Sequence, residues 1–560
     1  MKLKKQPLDV PEEVYPLHKL DDIKDFRNHV IWMMRFNDVL DAEMLADSLS
    51  RLLEIGDWKK LGGRPTDIDK ADGRLEVHFR KSSTTGQRNV FFTHDTHDMR
   101  IQDHPVASRL PQATDGPSTY LVSDDFRPFI ARANFPSFAQ SVQQNEPPIS
   151  LHVTSFNDAT LLALSWPHVL MDASAGKALL SGWTSVLAGR EDSVPMVIGA
   201  RDDVLLQTTM SEKQDRDEEF KLEKNRMTGA SLLVFYLRCL WDKIWYPRQQ
   251  RAVFIPQAVL HKLKAEVQQG IIKSSPSSHD VPFVSESDIL IAWICQAAAS
   301  STSKSRPMTI MSFLDTRSRI PEICTSTGVF LQNMVLSTYA FLSPQTANGP
   351  IGPIAISHRR HFAEQSSENQ TLCFLRSVYR DIDAVKSPRL VFGEPNAVPI
   401  LINNVSKAEL IKLVDFSPAV VHQGESAETR RNPLGTMVTY WNEGLERGWS
   451  GFNVCWMQGR DHDGNFWIMA NLLPEAWSRI EEHLQNLHDM KVYTRDVSAL
   501  LLALVKDNVD PHEVTGCDAS RISNVGPARG YRDIIRRQLK ALKAEKAGDF
   551  TQAEPPHTVN

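Results

Sequence analysis

The sequence predicts a mixed α/β protein with two large domains. Segments with the two-residue period of strands alternate with segments of helical period along most of the chain. The 560 residues exceed what one hydrophobic core usually serves, and the 41% of hydrophobic residues is ordinary for a globular protein. A charged run at 211–227 is either the link between domains or a solvated helix. We therefore place the domains at 1–215 and 216–510, followed by a partly disordered extension at 511–560.

The first half contains four predicted elements that bear on function. A strand over Val30–Phe36 precedes an amphipathic helix over Ala42–Leu53. Two further strands, at 149–156 and 160–167, are joined by an Asn-Asp pair typical of a tight hairpin. A helix then follows and ends at Gly189, because glycine is favoured just beyond a helix C-terminus. The hairpin and this helix flank the chain's most informative turn.

The second half repeats the mixed pattern. Ser285 and Asp288 form the capping-box spacing in front of the apolar run ILIAWICQAAA, which predicts a helix. A strand is predicted at 308–315, and two more at 453–459 and 465–472 are paired across an Asp-His-Asp-Gly turn. These strands predict a second sheet in the second domain.

Composition narrows the class of partner and compartment. The formal net charge of -5 argues against a dedicated nucleic-acid binder. The N-terminus lacks the apolar region of a secretory signal, and the six cysteines lie far apart with no CxxC pair, which predicts neither a disulfide framework nor a metal site. We expect a soluble cytoplasmic protein whose partner is a small molecule.

The most membrane-like stretch runs from Ser231 to Tyr246. It is too short to span a bilayer and carries Arg238, Asp242 and Lys243, so we predict a partly buried helix and no membrane span.

The chemically informative segment is the turn from His168 to Asp172. A strand ends at this turn and a helix begins after it, which can lift the histidine out of the sheet and hold it rigid. An imidazole has a pKa near the working pH that a general base needs. Asp172 can cap the helix or form an ion pair within the protein. By itself, the H-x-x-x-D spacing has a second interpretation, in which the histidine packs in the core and the aspartate only caps the helix.

Other segments strengthen the functional interpretation, because with this turn the sequence resembles the BAHD acyltransferases, particularly their fungal secondary-metabolite branch. The resemblance spans about residues 15 to 490 in the family's order. Its further motifs are Tyr15–Leu17, Gly56–Arg64, Val284–Asp288 with Ala292 and Trp293, Asp315-Thr-Arg317-Ser-Arg319 with Phe330–Asn333, and Asp415–Ala419.

The resemblance implies a two-domain fold of the chloramphenicol acetyltransferase type with an interdomain tunnel. His168 would deprotonate a hydroxyl or amine of a small metabolite, which attacks the thioester of an acyl-CoA. Acetyl-CoA is the common donor in the family, no cofactor is permanently bound, and a monomer is expected. Trp166 is the candidate for a residue that lines the tunnel near His168.

The resemblance also assigns structural roles. Asp172 would pair with an arginine of the D-x-R-x-R strand, with Arg317 as the first choice and Arg319 as the reserve. Asp415 and Phe416 would keep the structural role of the family's DFGWG loop.

The sequence departs from the family pattern at several positions. Ala173 stands where the family has the glycine after the motif aspartate, Gln332 replaces the glycine before Asn333, and the DFGWG loop is DFSPA. Two alternatives therefore stay open: a condensation-type domain that uses carrier-bound acyl groups, and a non-acylating protein that binds or cyclises a ligand on the same fold.

Overall fold

A computed structural model describes residues 12–69, 74–80, 88–132, 134–211, 218–274, 282–302, 304–443 and 452–506. Its strands are β1 Glu12–Pro16, β2 His29–Phe36, β3 Asp38–Leu40, β4 Arg64–Asp69, β5 Arg74–Arg80, β6 Phe91–Thr96, β7 Ser118–Leu121, β8 Ser150–Ser155, β9 Thr160–Pro167, β10 Val197–Ile198, β11 Gln249–Ile255, β12 Met308–Asp315, β13 Val329–Phe330, β14 Val335–Leu342, β15 Val398–Asn404, β16 Val420–Gln423, β17 Met437–Glu443, β18 Asn453–Arg460 and β19 Phe466–Leu472.

Its helices are α1 Ala42–Leu52, α2 Lys59–Gly62, α3 Arg127–Ile130, α4 Phe138–Gln144, α5 Ala173–Leu187, α6 Val204–Thr209, α7 Gly229–Trp245, α8 Gln257–Ser274, α9 Glu286–Ser300, α10 Pro321–Cys324, α11 Pro344–Ala347, α12 Ile351–Gln365, α13 Glu368–Val385, α14 Leu410–Leu413 and α15 Pro474–Lys506.

Two mixed sheets organise the chain. The first has the strand order β17-β2-β9-β8-β6, and the second has the order β14-β12-β15-β18-β19-β11-β7. The predicted hairpin is confirmed, because β8 and β9 pair antiparallel up to Ser155 opposite Thr160. The predicted pair of strands in the second half is confirmed by the antiparallel pairing of β18 with β19.

The two sheets exchange strands. β17, from the second half of the chain, pairs with β2 at the edge of the first sheet. β7, from the first half, pairs with β11 at the edge of the second sheet. A single domain boundary near residue 215 therefore does not separate the sheets, because strand pairing crosses that position in both directions.

Residues up to His488 form one compact unit, and Asp489 begins a second. The predicted extension at 511–560 lies outside the described residues.

The core of the first sheet fixes the position of α5. Leu45 and Leu49 of α1 and Leu179 of α5 are fully buried in the same hydrophobic cluster. A Cβ on Gly176 would lie 2.7 Å from the Trp32 ring, so the first turn of α5 approaches β2 closely only because this residue is glycine. This packing sets where the helix begins relative to the sheet.

The second sheet is covered by helices that include α8, α9 and α12. The predicted capping box at the start of α9 is confirmed: the Ser285 hydroxyl accepts from the backbone N–H of Asp288, whose carboxylate accepts from the Ser285 N–H.

The structure bears on two expectations about a charged and an apolar segment. The described part of the 211–227 run contains only a short 3-10 turn at Glu223–Asn225, so the alternative of a solvated helix is wrong for these residues. The partly buried helix predicted near 231–246 is confirmed as α7, whose buried residues are Phe235 and Cys239. Among the described residues, no helix is both long and apolar enough to cross a membrane.

Candidate active site

The turn that carries His168 is fixed at its start by the sheet. β9 runs antiparallel to β2 until Pro167 lies opposite His29. One residue later, the backbone N–H of His168 donates to the carbonyl of Asn28 at 2.8 Å. The strand pairing therefore continues up to the histidine itself, and its backbone is held before the chain turns away from the sheet.

Asp172 fixes the other end of the turn. It is the N-cap of α5, and its Oδ1 accepts from the Ala175 N–H at 3.0 Å. An N-cap carboxylate satisfies a helix N–H that has no partner within the helix. Only three residues lie between these two anchored points, which leaves the His168 backbone little freedom.

The same carboxylate also joins the two halves of the chain. Arg317 donates from Nη1 to Asp172 Oδ2 at 2.9 Å and from Nη2 to Oδ1 at 3.1 Å. The Met334 N–H donates to Oδ2 at 2.9 Å. Asp172 is 2% exposed. A buried charge in this position is tolerated because it is paired and hydrogen-bonded.

The guanidinium of Arg317 donates hydrogen bonds to several further acceptors. Besides Asp172 it donates to Asp315 Oδ1 at 3.1 Å and to the carbonyls of Phe330 and Gln332 at 3.3 and 2.7 Å. Burial alone lowers the pKa of the guanidinium, but the charges of Asp172 and Asp315 outweigh it and the net pKa is raised. The arginine is therefore held as a cation.

Asn333 holds the turn from a third direction. Its Nδ2 donates to the His168 carbonyl at 3.0 Å and to Asp21 Oδ1 at 2.8 Å, and its backbone N–H donates to the same oxygen of Asp21 at 2.7 Å. Asp21 is fully buried. A residue near the N-terminus, one from the turn and one from the second half of the chain thus form a single hydrogen-bonded group under His168.

The His168 ring stacks on Phe26. The ring centroids are 4.3 Å apart and the planes are within 5° of parallel. The ring lies deep in the protein but His168 is not fully buried. Desolvation lowers its pKa below the ordinary 6.5, against smaller opposing effects of its own carbonyl, Asp172, Asn333 and Asp21. At neutral pH the imidazole is therefore uncharged, which is the form that accepts a proton.

The remaining predicted residues lie around this turn or away from it. Trp166 is 1% exposed, and its Nε1 donates to the Met171 carbonyl at 3.1 Å. This placement makes Trp166 a support inside the turn, and its place along a tunnel stays a prediction. Arg319 does not join the Asp172 group, and its guanidinium lies over the Phe362 ring at 5.9 Å.

Phe416 packs in the core of the first sheet, whereas the neighbouring Asp415 is exposed. Asp415 Oδ1 accepts from the Ser417 N–H at 3.0 Å. The Phe416 ring is fully buried, with its centroid 4.6 Å from that of Trp183 and 5.5 Å from that of Phe36. These contacts belong to packing, and the structure gives neither residue a contact to His168.

Two residues of the site were missed by the sequence reasoning. Phe26 and Asp21 lie in the segment DDIKDF, which has no period of a helix or strand. An aromatic ring within a polar, aperiodic segment was the one available signal. No metal-binding group of three or more His, Cys, Asp or Glu side chains occurs in the described part of the chain.

Known proteins match most of this chain, although no protein-family model does. The O-acetyltransferase PaAT-2 of Phomopsis amygdali is 32% identical over 488 residues, covering 85% of this chain and 98% of the relative. The acetyltransferase pyiB of Pyricularia grisea is 30% identical over 488 residues, covering 86% of this chain and 95% of the relative. The chain belongs to the fungal BAHD-type acyltransferases. BAHD-type enzymes depend on acyl-CoA, so the predicted enzyme class is confirmed.

A solved structure supports the fold of this acyltransferase. TRI101 of F. graminearum, in complex with coenzyme A and T-2 mycotoxin, aligns with a TM-score of 0.59 at 13% identity, covering 84% of this chain and 97% of that chain. At this identity the match shows the fold alone. It confirms the predicted fold of the chloramphenicol acetyltransferase type.

Proposed function

We propose that His168 acts as the general base of this acyltransferase, which moves an acyl group from acyl-CoA to a hydroxyl or amine of a small metabolite. The observation that carries the proposal is an uncharged imidazole, on a residue that is not fully buried, in a turn anchored at Asn28, Asn333 and Asp172. A base with a fixed ring and a pKa below neutrality is ready to accept a proton.

The two ring nitrogens have different surroundings. Nδ1 is buried and lacks a hydrogen-bond partner in the described part of the chain, as does Oδ1 of Asn333. The His168 carbonyl and the Asn333 side chain both raise the pKa of the ring. A proton on Nδ1 suits these neighbours and leaves the Nε2 lone pair as the base.

The reaction then balances without a covalent acyl-enzyme. Nε2 takes the proton of the acceptor as its oxygen or nitrogen bonds to the thioester carbonyl carbon. The tetrahedral intermediate collapses, the carbon–sulfur bond breaks, and the CoA thiolate takes the proton from Nε2. Asp172 does not take part in proton transfer: it holds the turn and neutralises Arg317.

The relatives support the choice of substrates. PaAT-2 is named as an O-acetyltransferase, and TRI101 was solved with both coenzyme A and a mycotoxin. A hydroxyl acceptor and acetyl-CoA are therefore the first pair to test for this chain. An amine acceptor and longer acyl chains follow from the same chemistry.

The test is acceptor-dependent release of free CoA thiol from acetyl-CoA over a panel of hydroxylated and amino metabolites. We expect His168→Ala to lower the rate by roughly 100- to 10,000-fold, the usual contribution of a general base. His422→Ala is the matched control, because His422 is exposed on β16 and distant in sequence from the turn. Its rate should equal that of the wild type.

Other outcomes separate the alternatives. A His168→Ala rate within a few-fold of the wild-type rate would exclude this residue as the base. If no acceptor releases thiol, longer acyl donors and a CoA-binding titration follow. Failure to bind CoA would favour carrier-bound acyl groups or a non-acylating function.

A further inference from the structure

Helix α7 presents a large apolar surface to solvent. Nearly half of the large exposed hydrophobic side chains among the described residues lie within this helix and the residue after it. Their exposed fractions run from 39% to 62%. We call the following residues the α7 face: Leu233, Val234, Tyr236, Leu237, Leu240, Trp241, Ile244, Trp245 and Tyr246. Apolar surface concentrated in this way marks an interaction site more often than chance exposure.

The opposite side of α7 is narrow and holds the helix on the protein. Phe235 and Cys239 are its buried residues and pack in one cluster with Met227. One turn further on, Asp242 forms an ion pair with Arg306 at 3.3 Å. The positions 235, 239 and 242 fall on one helix stripe. The helix is thus seated by a single stripe, and the α7 face occupies most of the remaining circumference.

The charges of α7 are distributed unequally between these sides. Asp242 is the only acidic residue in the helix, and Arg306 neutralises it on the inner side. Arg238 and Lys243 are both exposed. The outward surface therefore combines aliphatic side chains, two tryptophans, two tyrosines and two cations, with no carboxylate from the helix.

This combination matches the surface of an anionic lipid bilayer. Trp and Tyr favour the membrane–water interface, and exposed Lys and Arg are attracted to anionic headgroups. The 17 residues of α7 span about 26 Å, less than the roughly 30 Å of a bilayer core. A helix of this length and composition lies in the interface plane instead of crossing it. We propose that the α7 face docks this acyltransferase on an anionic membrane surface.

The docking does not depend on the proposed chemistry, since binding to a membrane is measured without turnover.

The test is co-sedimentation of the full chain with vesicles of phosphatidylcholine mixed with phosphatidylserine, and with vesicles of phosphatidylcholine alone. We expect the wild type to bind the anionic vesicles more tightly, and added salt to weaken that binding because it screens Arg238 and Lys243. The double variant Trp241→Glu, Trp245→Glu should bind at least about tenfold more weakly. Both side chains are exposed, so their replacement should not unfold the protein.

Two further variants distinguish lipid docking from other causes. Met196→Glu, at a side chain that is 70% exposed and outside α7, is the matched control and should bind vesicles like the wild type. Arg238→Gln with Lys243→Gln should reduce the preference for anionic vesicles.

Three results would overturn the proposal. The first is a wild type that stays in the supernatant with anionic vesicles. The second is equal binding by the wild type and the tryptophan variant. The third is a wild-type dimer that the tryptophan variant dissociates while neither form binds vesicles, which would assign the α7 face to a second copy of the chain. Thiol release by the tryptophan variant with a soluble acceptor should be unchanged, so a failure of docking is distinct from a failure of the proposed reaction.

Discussion

The catalytic turn and the Asp415–Ala419 loop both match family motifs, yet they are held in different ways. The turn depends on directional bonds: the Asp172 carboxylate accepts from Arg317, Met334 and Ala175. The loop depends on packing, since Phe416 is fully buried between Phe36 and Trp183. The turn retains the residue types that its hydrogen bonds require. The loop lacks the family's glycines and tryptophan but keeps a buried ring, because apolar contacts tolerate changes that hydrogen-bond geometry does not.

The largest expected effect is the loss of folding stability in Asp172→Ala, a substitution in the catalytic turn. Removing this carboxylate leaves the largely buried Arg317 with only the more exposed Asp315 as its counter-charge, and we expect a loss of about 3–5 kcal/mol. Chemical denaturation should show this loss in the free energy of unfolding. Asp315→Ala is the control, because it removes the more exposed partner of the same arginine, and a smaller loss is expected. Equal losses would show that Arg317 does not depend on Asp172 in particular.

A smaller effect is expected for Asn333→Ala. The substitution removes donors to the His168 carbonyl and to buried Asp21, at a cost of about 1–3 kcal/mol. Because the amide raises the pKa of His168, the variant's pH–rate profile should also move to lower pH. Measuring thiol release against pH separates positioning from general destabilisation, which would lower the amount of active enzyme without moving the profile.

In the Asp415–Ala419 loop, stability should depend on the shape of the buried Phe416 side chain. Phe416→Leu keeps an apolar side chain in the cluster with Trp183, so we expect a loss of about 1 kcal/mol in the free energy of unfolding. The rate of thiol release per folded molecule should stay at the wild-type value. A large fall in that rate, with stability retained, would give the loop a direct part in catalysis.

The smallest expected effect is a change in how the reaction rate depends on pH. Burial places the pKa of His168 below 6.5, so the rate should be flat near neutral pH and fall only in more acidic solution. Phe26→Ala should raise the apparent pKa by admitting water to the ring, and so lower the rate a few-fold in mildly acidic buffer.

The contribution of His168 to the free energy of unfolding should also fall as the solution becomes more acidic. Folding disfavours the protonated ring, so its contribution is complete above the unfolded pKa of 6.5 and is lost as the pH falls through the folded value. An apparent pKa above 7 in the pH–rate profile would contradict this account.

The sequence determined the local elements of this protein. The β8–β9 hairpin, the cap at Asp172 and the capping box at Ser285 depend on residues only a few positions apart. The family resemblance named two candidate arginines, and the fold distinguished them: Arg317 reaches Asp172, whereas Arg319 lies over Phe362.

Only the tertiary structure decided which distant residues complete the site. Phe26 meets His168, and Asp21 meets Asn333 across 312 positions of the chain. Likewise, the strand exchange between sheets and the exposed α7 face follow from which surfaces the rest of the chain covers. Periodicity and caps act within about one helical turn or one hairpin, so they carry no information about contacts that chain folding alone brings together.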